Sequence, residues 1–148
     1  MKLGPIVGLG SGFGAWTLAE YLTHRFPMHA TRGSSSLADE HLDHHSAPLT
    51  TVKLAADAHN VAFKGGALVL GSLLVSVPFG TGFSAGYAGY TYLHDRIHHR
   101  AARSAMAQRV WQHHHLHHQG GPATNFGVTT PVWDVVFRTR RRVATVAP

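Results

Sequence analysis

Histidine placement constrains the fold of this chain more than any other feature of its sequence. Thirteen of the fourteen histidines fall in four short motifs, and His59 is the exception. On a helix, residues three or four positions apart share a face, so histidines at this spacing point their imidazoles in one direction. Three of the four motifs therefore have the spacing of a metal-binding helix face, and the first, with its histidines five apart, needs a local change in the helix. The motifs are HRFPMH (24–29), HLDHH (41–45), HDRIHH (94–99) and HHHLHH (113–118).

A long apolar run separates the first two motifs from the last two. Residues 65–93 contain no charged side chain, whereas one membrane-spanning helix needs only about 20 apolar residues. The centre of the run, VPFGTG (77–82), is rich in helix breakers. A single crossing would place the two pairs of motifs on opposite sides of a bilayer. The sequence therefore predicts a helical hairpin, with membrane segments at about 61–77 and 82–97, that returns the chain to the same side.

The remaining segments complete an all-α prediction for one domain over residues 1–148. An uncharged stretch predicts a short membrane helix at 3–22, in which Gly8/Gly12 and Gly10/Gly14 are spaced for close helix packing. Residues 94–118 are expected to form one helix that leaves the membrane and continues into water. The predicted architecture is an integral-membrane helical bundle whose cytosolic helices carry the histidine motifs, followed by a basic tail at 138–148.

Two local sequence features predict the backbone structure of the first and second motifs. His24 and His29 are five positions apart, a spacing that a straight α-helix would splay. Pro27 lies between them and is predicted to end the helix, so that His29 can turn inward. Ser36 with Asp39 three positions later resembles a capping box, which predicts that the second motif is helical.

Charge indicates which partners suit the chain. The formal net charge of +6 would suit nucleic acid, but no aromatic residues are interleaved with the basic ones and no nucleic-acid motif occurs. Basic clusters beside apolar segments instead favour anionic lipid headgroups and place the motifs on the cytoplasmic side of the membrane. The arginines concerned are Arg25, Arg32, Arg96, Arg100 and Arg103.

The types of ligand in the chain restrict which metals it can bind but do not identify one. The chain has no cysteine, so any metal must be held by nitrogen and oxygen. Imidazole suits iron, copper, nickel and zinc, which leaves a non-catalytic zinc-binding membrane protein as an alternative. About ten imidazoles exceed what one ion uses, so two ions are expected. A site where membrane segments emerge favours redox chemistry on a lipid carbon–hydrogen bond, which acid–base catalysis alone cannot attack.

The order of the motifs, followed by NFG (125–127) and WDVVF (133–137), resembles the fatty acid hydroxylase/sterol desaturase superfamily of integral-membrane di-iron enzymes. The resemblance runs from about Glu20 to Thr139. It implies two iron ions, which zinc can replace in purified protein, and molecular oxygen as co-substrate. It also implies hydroxylation or desaturation of a fatty acyl chain, sterol or carotenoid. Electrons would come from a separate ferredoxin, cytochrome or reductase, and minimal membrane anchoring could be completed by a second copy of the chain.

The same resemblance implies specific site residues. Glu20 and Asp95 would orient imidazoles, and Asn125 and Asp134 would fix the loop that closes the site. One departure stands out: the last motif of the family often reads Phe-Gly-Thr, and here it reads Phe137-Arg138-Thr139. His113 and His115 are ambiguous in register. The implied ligands are His24, His29, His41, His44, His45, His94, His98, His99, His114, His117 and His118.

Overall fold

A computed structural model describes residues 4–49, 58–119 and 124–142. These residues form helices and connecting loops without a strand, which confirms the all-α class. Whether residues 1–148 make up a single domain stays a prediction, and the end of the basic tail lies outside the described residues. The helices are α1 (Pro5–Thr23), which continues into a π-helical turn (His24–Met28), α2 (Ser36–Ser46), α3 (Ala58–Leu74), α4 (Val77–His99), α5 (Ala105–Gln119) and α6 (Val132–Val136).

The predicted hairpin is present, but its turn lies earlier than expected. Helices α3 and α4 pack antiparallel, with Gly80 of α4 against Leu68 and Ser72 of α3. Ser76 caps α4, because its hydroxyl accepts a hydrogen bond from the backbone N–H of Phe79 at 3.3 Å. The prediction of a break across residues 77–82 is wrong. Pro78 stands in the first turn of α4, where its missing N–H costs no helical hydrogen bond.

Parallel packing of α1 against α4 brings two histidine motifs to one end of the bundle. Gly8 lies against Pro78 near the start of both helices, and Trp16 packs edge-on against Tyr87 further along. The two helices therefore run in the same direction. Their carboxyl ends, which carry the first and third motifs, meet at the same place.

Small residues allow this close approach. A Cβ atom added to Gly12 would overlap the carbonyl oxygen of Phe79, and one added to Gly82 would overlap that of Leu9. By contrast, no atom of the described residues lies within 4 Å of a Cβ atom built on Gly10 or Gly14. Of the two predicted glycine pairs, Gly8/Gly12 is therefore the one at the helix interface.

The predicted continuous helix over residues 94–118 is wrong. Helix α4 ends at His99, and Arg100 has extended backbone angles (φ −130°, ψ 140°). Helix α5 begins at Ala105 after Ser104, whose hydroxyl accepts from the backbone N–H of Ala107 at 3.2 Å. This break allows α5 to turn and direct the fourth motif towards the third.

The carboxyl-terminal segment docks on α1 through aromatic and hydroxyl groups. Tyr21 is fully buried, stacks on Phe137 with ring centroids 5.1 Å apart, and pairs its hydroxyl with that of Thr139 at 3.0 Å. The indole N–H of Trp133 donates to the hydroxyl of Thr17 at 3.0 Å. These contacts fix the loop before α6 beside the carboxyl end of α1.

Among the residues that the structure describes, no helix combines the length and apolar character that crossing a membrane requires. The predicted membrane segments at 3–22, 61–77 and 82–97 correspond largely to α1, α3 and α4. Their insertion into a bilayer stays a prediction.

The glycine interface gives a first testable prediction. We expect Gly12→Ala to destabilise the protein by about 1–3 kcal/mol, because the added methyl group forces α1 away from α4. Gly14→Ala is the matched control on the same helix and should leave stability unchanged or raise it, since alanine favours helix more than glycine does. Thermal unfolding followed by circular dichroism measures both. Equal effects of the two substitutions would contradict this account of the interface.

The departure at Arg138 gives a second prediction. Arg138 has φ +58°, a left-handed conformation in which a non-glycine residue is strained by about 1–2 kcal/mol. It also occupies the position at which the resembled motif often has glycine. Its side chain is exposed, so we expect Arg138→Gly to raise the free energy of unfolding, measured by urea denaturation. Arg140→Gly is the control for loss of an exposed arginine, and an equal gain there would exclude strain as the cause.

Candidate metal centre

Ten histidines from all four motifs form two clusters of five. Within each cluster, one ring nitrogen from every histidine lies within 4.8 Å of those of the other four. We call them the first and second clusters. The first cluster consists of His24, His29, His41, His45 and His117. The second cluster consists of His44, His94, His98, His114 and His118.

The two clusters share helices, so neither belongs to one part of the chain. Helix α2 sends His41 and His45 into the first cluster and His44 into the second. Helix α5 does the converse, with His114 and His118 in the second cluster and His117 in the first. Each cluster thus receives two pairs of histidines and one single histidine. The HxxHH spacing allows this, because its i,i+4 pair and its i+3 residue diverge slightly around the helix.

The π-helical turn explains the unusual spacing of the first motif. A π-helix closes hydrogen bonds between residues five positions apart, so residues at that spacing lie one above the other. His24 and His29 are five apart, and their rings stack with centroids 5.3 Å from each other. Pro27 lies inside this turn, so the prediction that it ends the helix is wrong. The widened turn, rather than a helix end, directs both imidazoles inward.

Helix α2 is positioned by its cap. Its N-cap is Ser35, whose hydroxyl accepts from the backbone N–H of Ala38 at 3.1 Å. The predicted cap at Ser36 is therefore one residue late. Asp39 does not pair with the cap; its carboxylate accepts instead from the backbone N–H of Gly33 at 2.7 Å.

Two imidazoles of the first cluster have their protonation pattern fixed by backbone carbonyls. Nδ1 of His24 donates to the carbonyl of Phe126 at 2.5 Å, and Nδ1 of His117 donates to that of Thr124 at 2.8 Å. With the proton on Nδ1, the Nε2 atom of each neutral ring presents only a lone pair. Such an arrangement is typical of histidines that bind metal through Nε2.

Distances between the inward-facing nitrogens suit a metal ion. Nε2 of His24 lies 3.1 Å from Nε2 of His41, and Nε2 of His29 lies 3.1 Å from Nε2 of His117. In the second cluster, Nε2 of His98 lies 2.9 Å from Nε2 of His114. Two nitrogens bound at right angles to one ion, each about 2.1 Å from it, would lie about 3 Å apart. The donor set and its spacing therefore fit one cation in each cluster.

Burial keeps the imidazoles neutral, as metal binding requires. Burial, together with the neighbouring His45, lowers the pKa of His29 to about 4. Burial likewise lowers the pKa of His117 to about 3, although its hydrogen bond to Thr124 opposes the shift. In the second cluster, burial and the nearby His99 lower the pKa of His98 to about 4. The lone pairs are consequently available to a metal at neutral pH.

The NFG sequence forms the loop that supplies the carbonyl of Phe126. Asn125 has φ +58°, a conformation that asparagine tolerates better than most residues. Its side-chain amide donates to the carbonyl of His113 at 3.1 Å, and its side-chain oxygen accepts from the backbone N–H of Arg141 at 2.7 Å. A Cβ atom on Gly127 would overlap the carbonyl oxygen of Thr130. The backbone conformation at Asn125 and the close packing at Gly127 therefore explain these two residues, whereas Phe126 contributes its backbone carbonyl.

The carboxylate of Asp134 holds this loop in place by accepting hydrogen bonds from its backbone. Asp134 is fully buried, and its two carboxylate oxygens accept from the backbone N–H groups of Phe126 at 2.8 Å and Gly127 at 2.9 Å. It also accepts from the hydroxyl of Thr139 at 2.7 Å and from Nε2–H of His113 at 3.1 Å. Burial alone would raise the pKa of Asp134, but these hydrogen bonds outweigh it and lower the pKa. Asp134 is thus a carboxylate that fixes the loop and touches neither cluster.

Glu20 ties the same loop to α1. It lies one turn before His24, is 4% exposed, and accepts through Oε1 from the backbone N–H groups of Val128 at 2.5 Å and Thr129 at 2.9 Å. Its contacts are with the loop and not with an imidazole. Its influence on the histidines is therefore indirect.

Several residues singled out in the sequence lie outside both clusters. His99 is exposed and donates through Nδ1 to the carbonyl of Asp95 at 3.0 Å, and the Asp95 carboxylate lies 3.2 Å from the same nitrogen. His115 stacks on Trp111 with centroids 4.4 Å apart. The side chain of His59 is outside the part of the chain that the structure describes. The structure therefore separates His99 from the other ten implied ligands and places the Asp95 carboxylate beside His99.

An open, mostly apolar cavity of about 230 Å³ borders the second cluster. Trp111, Ile97 and Pro48 supply its apolar lining. Three histidines of the second cluster and one of the first also face it, namely His98, His114, His118 and His45. A small molecule in the cavity would lie against the second cluster.

Some functional positions have no signal in the sequence. The carbonyl groups of Thr124 and Phe126 act through the backbone, which any residue type supplies. His113 is ambiguous by spacing, and the structure distinguishes it from His114 by its contact with Asp134 and by its place outside both clusters. The division of the histidines into two clusters was also not foreseen, since helical spacing shows a shared face but not the partner across it.

The lowered pKa values predict how pH affects the metal-free protein. Histidines in the unfolded chain have a pKa near 6.5, and His29 and His98 have values of about 4 in the fold. As the pH falls from about 6.5 to about 4, the unfolded chain takes up protons that the fold excludes, so the free energy of unfolding decreases. Urea denaturation of the metal-free protein at a series of pH values measures this. His29→Ala should flatten the dependence, and a stability that is constant over this window would contradict the prediction.

With this geometry in place, comparison with known proteins identifies the family. The chain matches the fatty acid hydroxylase family over residues 9–139. It is 30% identical to a fatty acid 2-hydroxylase of Macaca fascicularis over 86% of this chain and 38% of that protein. It is 28% identical to a dihydroceramide fatty acyl 2-hydroxylase of Arabidopsis thaliana over 91% of this chain and 60% of that protein.

Human fatty acid 2-hydroxylase is 29% identical over 84% of this chain and 37% of its own length. The chain thus spans between 37% and 60% of these relatives. No solved structure gives a significant match. The family match includes all four histidine motifs and the loop held by Asp134, and we conclude that the chain belongs to the fatty acid hydroxylase family.

Proposed function

We propose that this protein hydroxylates a fatty acyl chain at a histidine-ligated di-iron centre. The observation that carries the proposal is the pair of adjacent five-imidazole clusters. They approach most closely where the rings of His45 and His118 stack, with centroids 4.3 Å apart. Such an arrangement suits two metal ions side by side better than two unrelated sites.

The proposed reaction consumes one molecule of oxygen for each carbon–hydrogen bond attacked. That bond breaks and a carbon–oxygen bond forms, while the second oxygen atom leaves as water. The balance requires two electrons and two protons, and the electrons come from a separate ferredoxin, cytochrome or reductase. Two iron ions bound in the clusters would supply the electron transfer to oxygen that imidazoles alone cannot provide.

The side chains of this protein have binding and orienting roles in that scheme. The ten imidazoles hold the metal ions, and the carbonyls of Phe126 and Thr124 keep two of them in the tautomer that binds through Nε2. Asp134 and Glu20 hold the loop that carries these carbonyls. Tyr90 stacks on His94 with ring centroids 5.6 Å apart, which restricts the orientation of that ligand.

Relatives support a fatty acyl substrate over a sterol or a carotenoid. Those in mammals are named fatty acid 2-hydroxylases, and the one in Arabidopsis thaliana is named a dihydroceramide fatty acyl 2-hydroxylase. We therefore propose carbon 2 of an acyl chain as the position attacked. Desaturation of the same substrate is the nearest alternative, and it would yield a double bond instead of a hydroxyl group.

We also propose that the end of the bundle opposite the histidines enters the membrane, with the metal centre on the cytoplasmic side. That end exposes large apolar side chains, including Ile6 at 85%, Leu73 at 77% and Leu74 at 79%. Patches of this kind on a folded chain mark a surface that binds lipid or protein. Arginines lie in or beside the histidine motifs, such as Arg25, Arg96 and Arg100. The positive-inside rule expects such residues on the cytoplasmic side.

Anaerobic loading with a single metal tests the function. We expect protein loaded with ferrous iron to convert a fatty acyl substrate into its 2-hydroxy product when oxygen and an electron donor are supplied. Protein loaded with zinc should be inactive, because zinc has no accessible redox chemistry. Mass spectrometry of the lipid measures the product. A chain that binds two zinc ions tightly and stays inert with iron on fatty acyl, sterol and carotenoid substrates would instead be a non-catalytic zinc-binding protein.

Two adjacent histidines provide the matched control for this test. His98→Ala should abolish product formation and lower the metal content, since Nε2 of His98 faces the second cluster. His99→Ala should retain both, because His99 is exposed and lies outside the clusters. Equal losses from the two substitutions would show that the division of the histidines is not the functional one.

A further inference from the structure

The two clusters differ in what holds their imidazoles in place. Burial does not separate them, since each contains three buried and two half-buried histidines. The two clusters differ instead in the hydrogen bonds that their outer ring nitrogens make. In the first cluster, His24 and His117 donate from Nδ1 to carbonyls of one loop. In the second, the Nδ1 atoms of His114 and His118 are buried without a hydrogen-bond partner among the described residues.

This difference has a direct consequence for metal affinity. A carbonyl that accepts from the outer nitrogen of a ligating histidine fixes the ring orientation and raises the basicity of the inner nitrogen, and losing such a partner typically costs 10–100-fold in affinity. His29 in the first cluster also has a buried Nδ1 without a partner, so the advantage rests on two rings of the five. Those two rings come from the π-helical turn that extends α1 and from α5, which are far apart in the sequence.

Hydrogen bonds in both directions tie the loop to α1 and its π-helical turn. Glu20 accepts from the backbone N–H groups of Val128 and Thr129, and Phe126 in turn accepts from His24, four residues after Glu20 on the same helix. Asp134 completes the support by accepting from Phe126 and Gly127. The ligand His24, the Phe126 carbonyl that accepts from it and the Glu20 carboxylate that holds the loop are therefore all linked to α1 and its π-helical extension. Among the described residues, none accepts a hydrogen bond from Nδ1 of His114 or His118.

The cavity beside the clusters is lined unequally by them. The cavity of about 230 Å³ is lined by His98, His114 and His118 of the second cluster. Of the first cluster, His45 alone lines it. A small chelator that enters this cavity would meet mostly histidines of the second cluster.

We propose that loop 124–128 makes the first cluster the tighter of two inequivalent metal positions, so that the protein binds its two ions in order and releases them in the reverse order. This inference rests on the two-ion centre proposed above. Within it, Glu20 and Asp134 are positioning residues that act on the metal through the loop and through His24 and His117.

Titration of the metal-free protein with Co²⁺, followed by visible absorption and by calorimetry, tests the proposal. We expect two binding phases of different affinity and different absorption spectra. His24→Ala should remove the tight phase and His94→Ala the weak phase, which assigns each phase to a cluster. On addition of EDTA to the doubly loaded protein, the spectrum of the weak phase should disappear first.

Glu20 provides the decisive pair of variants. Glu20→Leu removes the acceptor for Val128 and Thr129 and should weaken the tight phase by about 10–100-fold. Glu20→Gln keeps an oxygen acceptor at that place and should restore the tight phase. The weak phase measured in the same sample should be unchanged, which shows that the variant is folded. If Glu20→Leu does not fold, Asp134→Asn addresses the same loop and should also weaken only the tight phase.

The outcomes separate this inference from the proposed function. Two ions bound with equal affinity would overturn the inference and leave the two-ion centre intact. A Glu20→Leu variant that weakens both phases equally would overturn it as well. Binding of fewer than two Co²⁺ ions by the unaltered chain would overturn the proposed function and the inference together.

Discussion

The architecture of this protein depends on the convergence of neutral imidazole lone pairs in a buried space. Lone pairs about 3 Å apart repel one another unless a cation lies between them, so this arrangement is unfavourable in a fold that has no metal to bind. Burial makes protonation a poor remedy, as the lowered pKa of His44, to about 3, illustrates. The fold therefore has to hold the rings in place by other means and leave their inner nitrogens to a metal.

Those means are hydrogen bonds from the outer side of the rings and close helix packing beneath them. The loop 124–128 supplies the carbonyl acceptors of Thr124 and Phe126, and Asp134 accepts from backbone N–H groups of the same loop, so that little of its buried backbone is left without a partner. Beneath the clusters, Gly12 and Gly82 allow α1 and α4 to touch at the backbone. The positions of motifs one and three relative to each other are therefore set by van der Waals contact between two helices.

The way the chain distributes its histidines gives each metal position ligands from distant parts of the sequence. The first cluster combines residues of the π-helical turn and its end, α2 and α5, and the second combines residues of α2, α4 and α5. Neither position can form until the hairpin of α3 and α4 has closed and α5 has turned back at Arg100–Ser104. Metal binding and tertiary folding are consequently coupled, as in other proteins whose ligands converge only in the fold.

The sequence by itself determined the helical class, the hairpin and the involvement of all four motifs, because histidine spacing and a long uncharged run are local properties. It also singled out Asn125 and Asp134 through the motifs that contain them. The tertiary structure alone decided that His99 stands apart from His98, that His44 and His45 face different clusters, and that Glu20 holds a loop instead of a histidine. Spacing along a helix fixes which side chains share a face to within about one residue position. Which neighbour that face meets depends on packing between distant segments, and hydrogen bonds to backbone carbonyls leave no trace in residue identity.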